Sequence, residues 1–137
     1  MSEQPNSSIV QQAYDNFKSG DIQSLISLLG DNVEWQLPDV ANIPFAGKRS
    51  GRESITQFFA SVAANQEALQ FEPRELIEQG DKVVALGHYK WRILSTGREY
   101  ASDFVHVFTV RGGQIVAFRE HFDTALAEAA YQKAASA

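Results

Sequence analysis

The stretch from Tyr100 to Asp123, YASDFVHVFTVRGGQIVAFREHFD, decides the fold. It reads as two long strands joined at Gly112-Gly113, followed by an alanine-rich helix. Strand alternation sends Phe104, His106 and Phe108 to one face, and Val105 and Val107 to the other. On the return strand Phe118, Glu120 and Phe122 share a face, opposite Ala117, Arg119 and His121. A histidine and a carboxylate among four phenylalanines call for each other or for a ligand, because an unpaired buried charge is costly.

Whether the two meet depends on the turn. A two-residue loop at Gly112-Gly113 would set His106 opposite Arg119 and put Glu120 on the wrong face. A three-residue loop, Arg111 to Gly113, with Gly113 left-handed as a bulge, restores the matching parity. His106 and Glu120 then become direct or diagonal neighbours, roughly 5 to 8 Å apart at Cβ. Hydrophobic pattern fixes register where a face is buried, so the pattern predicts the odd loop.

Around this hairpin the chain reads as one domain, residues 1–137, of 15.2 kDa, long enough for a real core. A net charge of -5 without any basic stripe points away from nucleic acid as a partner. The absence of cysteine excludes disulfides, thiolate catalysis and cysteine-bound metals. The start of the chain is polar, lacking the apolar core of a signal peptide, and no transmembrane run follows, so no membrane partner and a cytoplasmic location are expected. No two histidines share a face at ligand spacing, and no phosphate loop or dinucleotide fingerprint occurs, so neither a metal nor a cofactor is expected.

In chain order, 6–19 reads as a helix capped by Asn6 or Ser7, with Ile9, Val10, Ala13, Tyr14 and Phe17 on its buried face. Asp21 caps a short second helix closed by Gly30, and 32–37 is a strand carrying Val33, Trp35 and Leu37. The loop 38–50 holds an exposed-looking Ile43 and Phe45 and is either a lid or a self-packed connection. Ser50 and Glu53 form a capping box for a third helix that buries Ile55, Phe58, Phe59 and Val62. The strand 69–79 is placed at an edge or a bulge by Pro73, and 82–94 alternates Tyr89, Trp91 and Ile93 against His88, Lys90 and Arg92. Asp123 caps a last helix, 124–134. Helices first and four long strands after predict an α+β domain, with N-terminal helices closing a strongly curved antiparallel sheet that forms a cone.

Three pieces of the sequence resemble the nuclear-transport-factor-two-like superfamily, in particular its SnoaL-like and ketosteroid-isomerase-like members. They are AYDNFKSGDIQSLISLLGDNVEW (13–35), GRESITQFF (51–59) and DFVHVFTVRGGQIVAFREHFD (103–123), and the likeness runs from about Ile9 to Leu126. It implies a cystatin-like α+β barrel fold. In ketosteroid isomerases the general base would fall at Trp35, the second acid at His106 and the oxyanion tyrosine one place out of register with Tyr14, so that mechanism does not carry over. In limonene epoxide hydrolases the last catalytic carboxylate would be Glu120, but its partners would fall near His88 and Lys90, which do not fit. SnoaL-like polyketide cyclases pair a histidine with a carboxylate at positions matching His106 and Glu120.

The expected catalytic pair is therefore Glu120 as acid/base and His106 as its partner, in a pocket for a small apolar or aromatic ligand lined by Tyr14, Trp35, Tyr89, Trp91, Phe104, Phe118 and Phe122. Proton transfer beside a carbonyl needs one group to take the proton and another to hold that group in place. The expected function is a cofactor-free isomerase, cyclase or hydratase acting on a small, largely apolar oxygenated molecule. A non-catalytic ligand-binding or dimerisation module, with His106 and Glu120 as a structural ion pair, and an epoxide hydrolase-like enzyme are the alternatives. The outer sheet face, expected to carry Val105, Val107, Ile115 and Ala117, predicts a homodimer, and relatives that this chain resembles mostly pair through the same surface.

Overall fold

The structure is a computed structural model that describes residues 5–132. The start of the polar N-terminal segment and the last residues of the expected final helix, with the tail after it, lie outside the described residues. Helix α1 (Asn6–Ser19) buries Ile9, Val10, Ala13 and Tyr14, and Gly20 ends it in the left-handed conformation at φ 80°. Pro5, rather than Asn6 or Ser7, holds the N-cap position; Asn6 instead donates to the Gly80 carbonyl, and the Ser7 amide donates to Glu78. Asp21 caps α2 (Ile22–Ser27), accepting from the Ser24 amide at 3.1 Å. Gly30 does not close that helix but lies in strand β1 (Leu29–Gln36), which starts earlier than its alternation suggested.

A short strand β2 (Lys48–Ser50) precedes α3 (Arg52–Asn65). The expected capping box does not form there. Ser50 is committed to β2, Gly51 occupies the N-cap at φ 87°, and no side chain caps the helix. The remaining strands are β3 (Gln66–Gln79), β4 (Lys82–Ile93), β5 (Glu99–Arg111) and β6 (Gln114–Phe122), and α4 (Thr124–Tyr131) follows, capped by Asp123.

The six strands form one curved sheet in the order β2-β1-β6-β5-β4-β3. It is not closed into a barrel: β2 and β3 remain as edges. Pro73 lies in the edge strand β3, beside a break in register between Pro73 and Glu75. The pairing is antiparallel throughout except between β1 and β6, which run parallel and set Trp35 beside Phe118. Helices α1 and α3 and the loop 37–47 cover the concave face, where one core cluster runs from Val10 through Trp35 and Phe58 to Phe118.

The opening hairpin reaches the expected pairing by another route. The turn is the two-residue loop Gly112-Gly113, both at positive φ (59° and 79°), as a tight primed turn requires. From Arg111↔Gln114 a regular ladder would have set Arg119 against His106. Instead the register slips by one between Thr109 and Val110, leaving Val116 as an extra residue in β6. Beyond this bulge His106 pairs directly with Glu120, and Phe104 and Phe108 pair with Phe122 and Phe118. Ile115, on the turn side of the bulge, is buried in the core and does not belong to the outer face.

Candidate active site

Parity puts Phe104, His106 and Phe108 of β5, Phe118 and Glu120 of β6, and Tyr89 and Trp91 of β4 on the concave face. There they meet Tyr14 from α1. Between them lies a small cavity of about 90 Å³, open to solvent at its mouth, with walls that are almost wholly apolar.

His106 is 4% exposed and its ring is bonded at both nitrogens. Its Nδ1 lies 2.7 Å from the Tyr14 hydroxyl, and its Nε2 lies 2.6 Å from Glu120 Oε2. With a neutral imidazole a single tautomer satisfies all three groups: Tyr14 donates to Nδ1, and Nε2–H donates to the carboxylate. Tyr89 donates to the same carboxylate oxygen over a longer 3.4 Å. Among the described residues no hydrogen bond engages the other oxygen, Oε1, although Glu120 lines the cavity. Burial first, and then the negative charge of Glu120, hold the Tyr14, Tyr89 and Tyr100 phenols well above their usual range. These tyrosines are therefore neutral hydrogen-bond donors and not phenolate bases.

The dyad is braced by aromatic packing. Phe104 stacks under the His106 ring at 4.2 Å, and Phe118 meets it edge-on at 4.9 Å. Phe104 in turn fills the space above Gly87, where a Cβ would stand 2.3 Å from its Cζ.

Of the residues expected to line the pocket, Tyr14, Trp35, Tyr89, Trp91, Phe118 and Phe122 do so together with His106 and Glu120. Phe104 does not. It is 1% exposed and sits behind His106, a support and not a wall. Ile43 and Phe45 are not exposed either; both are buried and line the cavity, so the loop 38–50 forms part of its wall. Tyr100 was missed, although it shares the alternation of Ser102, Phe104 and His106 and was therefore legible. Phe71 carried no such signal, because register breaks in β3 blur the alternation there. Among the described residues no three His, Asp or Glu side chains cluster as a metal site, and no helix is long and apolar enough to cross a membrane.

The fold and the position of this site define a SnoaL-like, NTF2-like protein. The family model described as the SnoaL-like domain matches residues 10–118, and the chain belongs to this family. No curated protein sequence matches it. Among solved structures it is similar to an NTF2-like protein of unknown function from Burkholderia pseudomallei, at 28% identity and a TM-score of 0.87, covering 96% of this chain and 100% of that one. It is also similar to an NTF2-like protein from Burkholderia xenovorans, at 28% identity and a TM-score of 0.85 over 96% and 99% of the two chains. TerC, whose structure was determined co-crystallised with polyporic acid, is 30% identical with a TM-score of 0.83 over 95% and 100%.

Proposed function

We propose that this protein is a proton-transfer enzyme of the isomerase, cyclase or hydratase type, acting on a small, largely apolar oxygenated molecule held in the cavity. One observation carries it. A continuous hydrogen-bonded chain, Tyr14–His106–Glu120, stands on the wall of an apolar cavity and leaves one carboxylate oxygen unengaged.

In this arrangement Glu120 is the acid/base. Its Oε1 takes the proton from the carbon beside a carbonyl and returns it, to the same carbon or another, as isomerisation or ring closure requires. His106 is a positioning residue. Its Nε2–H holds Oε2 so that Oε1 keeps one direction, and Tyr14 locks the imidazole in the tautomer that can do this. Aromatic walls exclude water, which would otherwise solvate the carboxylate and blunt its reactivity. The chemistry calls for no further group beyond a substrate with an acidic carbon–hydrogen bond.

The test is a panel of small ketones and lactones incubated with the protein in D2O and followed by NMR. Exchange at the carbon beside the carbonyl, above the buffer rate, is the expected result. Glu120→Gln should lower that exchange by at least about 100-fold while the melting temperature stays within a few degrees. Polyporic acid, the compound crystallised with TerC, is the first ligand to titrate. Saturable binding without exchange on any substrate would favour the non-catalytic ligand-binding module, and diol formation from epoxides in the same panel would favour the hydrolase.

A further inference from the structure

Three donors near the α4 end of the cavity have no acceptor. Tyr100, Trp91 and Gln66 all line it. Register sets Tyr100 directly opposite Trp91, and Gln66 opposite Ile93, two places further along β4. The three side chains therefore leave neighbouring strands on the concave face. Among the described residues the Tyr100 hydroxyl, the Trp91 Nε1–H and the Gln66 Nε2–H groups make no hydrogen bond. They are not sealed in the packing either. The unpartnered N and O atoms that are fully buried are Trp35 Nε1 and Arg49 Nε, so these three keep accessible surface.

The other tyrosine hydroxyls are all engaged: Tyr14 on His106, Tyr89 on Glu120, and Tyr131 of α4 on Gln66 Oε1. That last bond takes the oxygen side of the Gln66 amide and leaves its nitrogen side. The Tyr100 ring meets Tyr89 edge-on at 6.4 Å, and the Glu120 charge acts on its phenol as it does on Tyr14 and Tyr89. The Tyr131 phenol acts on it as well. The Tyr100 hydroxyl thus stands within the fields of both the dyad and the Gln66–Tyr131 pair.

Donors inside a folded chain are normally paired, because a polar group that has lost its water needs a replacement. Three accessible ones in an otherwise apolar wall call for an oxygen from outside the chain. The charge of the wall says which kind. Among the described lining residues there is no lysine or arginine, and the one carboxylate is Glu120. An anionic oxygen would meet repulsion there with no counter-charge. A carbonyl oxygen meets neutral donors and no penalty.

We propose that the Tyr100 hydroxyl, with the Trp91 and Gln66 N–H groups beside it, is the carbonyl subsite of this cavity, which takes small uncharged ketones and not carboxylates. This deepens the proton-transfer reading and rests on it for the enolate. When the carbon–hydrogen bond beside the carbonyl breaks, the proton goes to Glu120 Oε1. Its electron pair becomes the carbon–carbon double bond, and the carbonyl pair moves onto the oxygen. Tyr100 donates to that oxygen and keeps its own proton, since the buried phenol resists ionisation.

The experiment uses the full chain and titrates three probes by NMR: cyclohexanone, methylenecyclohexane, in which a CH2 group replaces the oxygen, and cyclohexanecarboxylate at pH 7. Tyr100→Phe should weaken cyclohexanone about tenfold and leave methylenecyclohexane within about twofold. Equal losses for both, or no loss for either, would overturn the assignment, as would a native protein that binds no cyclohexanone. Cyclohexanecarboxylate binding as tightly as the ketone would overturn the preference for a neutral oxygen. Should Tyr100→Phe not fold, the native protein gives a second reading. The infrared carbonyl stretch of bound cyclohexanone should lie below its value in hexane, where nothing donates to it. A stretch at the hexane value counts against the subsite. Proton exchange in D2O separates the two ideas. Oxygen discrimination by Tyr100 with no exchange in the native protein would sink only the proton-transfer reading.

Discussion

His106 is the residue on which the site turns, since it touches Tyr14 of the helix, the acid Glu120 and the stacked ring of Phe104 beneath. Its Nδ1 lies beneath Tyr14 in a place where water cannot substitute easily, because both side chains are buried. Tyr14→Phe removes the donor and leaves that nitrogen unsatisfied, which should cost about 1–3 kcal/mol in urea denaturation. Paired with His106→Leu in a double-mutant cycle, the coupling should reach at least about 0.5 kcal/mol. Strict additivity would mean that the 2.7 Å contact contributes nothing to stability. Exchange of protons by Tyr14→Phe should fall less than in Glu120→Gln, because Tyr14 acts through His106 and not on the substrate.

At the scale of elements, β4 and β5 cooperate to hold that imidazole. Gly87 pairs with Phe104, and only the missing Cβ lets the Phe104 ring lie flat under His106. A Cβ at this position would stand 2.5 Å from the Glu72 backbone oxygen as well, so the neighbouring strand cannot simply give way. Gly87→Ala should therefore lose about 1–3 kcal/mol through overpacking, read from the denaturation midpoint. Adding Phe104→Leu should recover part of the loss, since it shortens the side chain that collides. No recovery would place the strain on the backbone of β3 instead.

Two consequences belong to the whole molecule. All four tyrosines have phenols raised above their usual range, chiefly by burial. Below the ordinary tyrosine pKa of about 10, folded and unfolded chains both carry protonated phenols, and this set of groups leaves stability unchanged. Above it the unfolded chain releases protons that the folded core retains, so stability falls as pH rises. Tyrosinate absorbance should then appear together with the loss of circular dichroism as a single alkaline transition. A phenolate signal that rises while the fold is intact would show that the core admits the charge.

The convex face carries the second consequence. Val84 pairs with Val107 and Leu86 with Val105, while Ile77, 47% exposed, extends the strip on β3. Lys82, His88, Asp103 and Arg119 rim it, and the helices contact the other side of the sheet. We propose that a second copy of the chain covers this strip in a two-fold dimer, the common arrangement for an apolar, polar-rimmed sheet face. Light scattering at micromolar concentration should return twice the chain mass, and Val107→Asp should halve it by burying an unpaired charge. A native protein that runs as a monomer refutes the pairing.

The period-two alternation within 100–111 and within 114–123 by itself grouped His106 with Phe104 and Phe108, and Glu120 with Phe118 and Phe122, because pleating leaves only two sides for a side chain. The same alternation in 82–94 grouped Tyr89 with Trp91, and an amphipathic pattern assigned Tyr14 to the buried side of α1. Tertiary structure decided the rest. The extra residue went to Val116 in β6 and not to the turn, since two glycines at positive φ already satisfy a tight hairpin and the mismatch had to be absorbed elsewhere. The parallel pairing of β1 with β6 joins segments some 80 residues apart, and no local pattern encodes which edge a strand will find. That pairing stacks Trp35 on Phe118, and the β2 strand beside it sets Arg49 at its shoulder. The fall of Phe104 behind His106 likewise depends on a glycine in the neighbouring strand, because which ring lines a cavity and which supports it is settled by packing across strands, not by order along one.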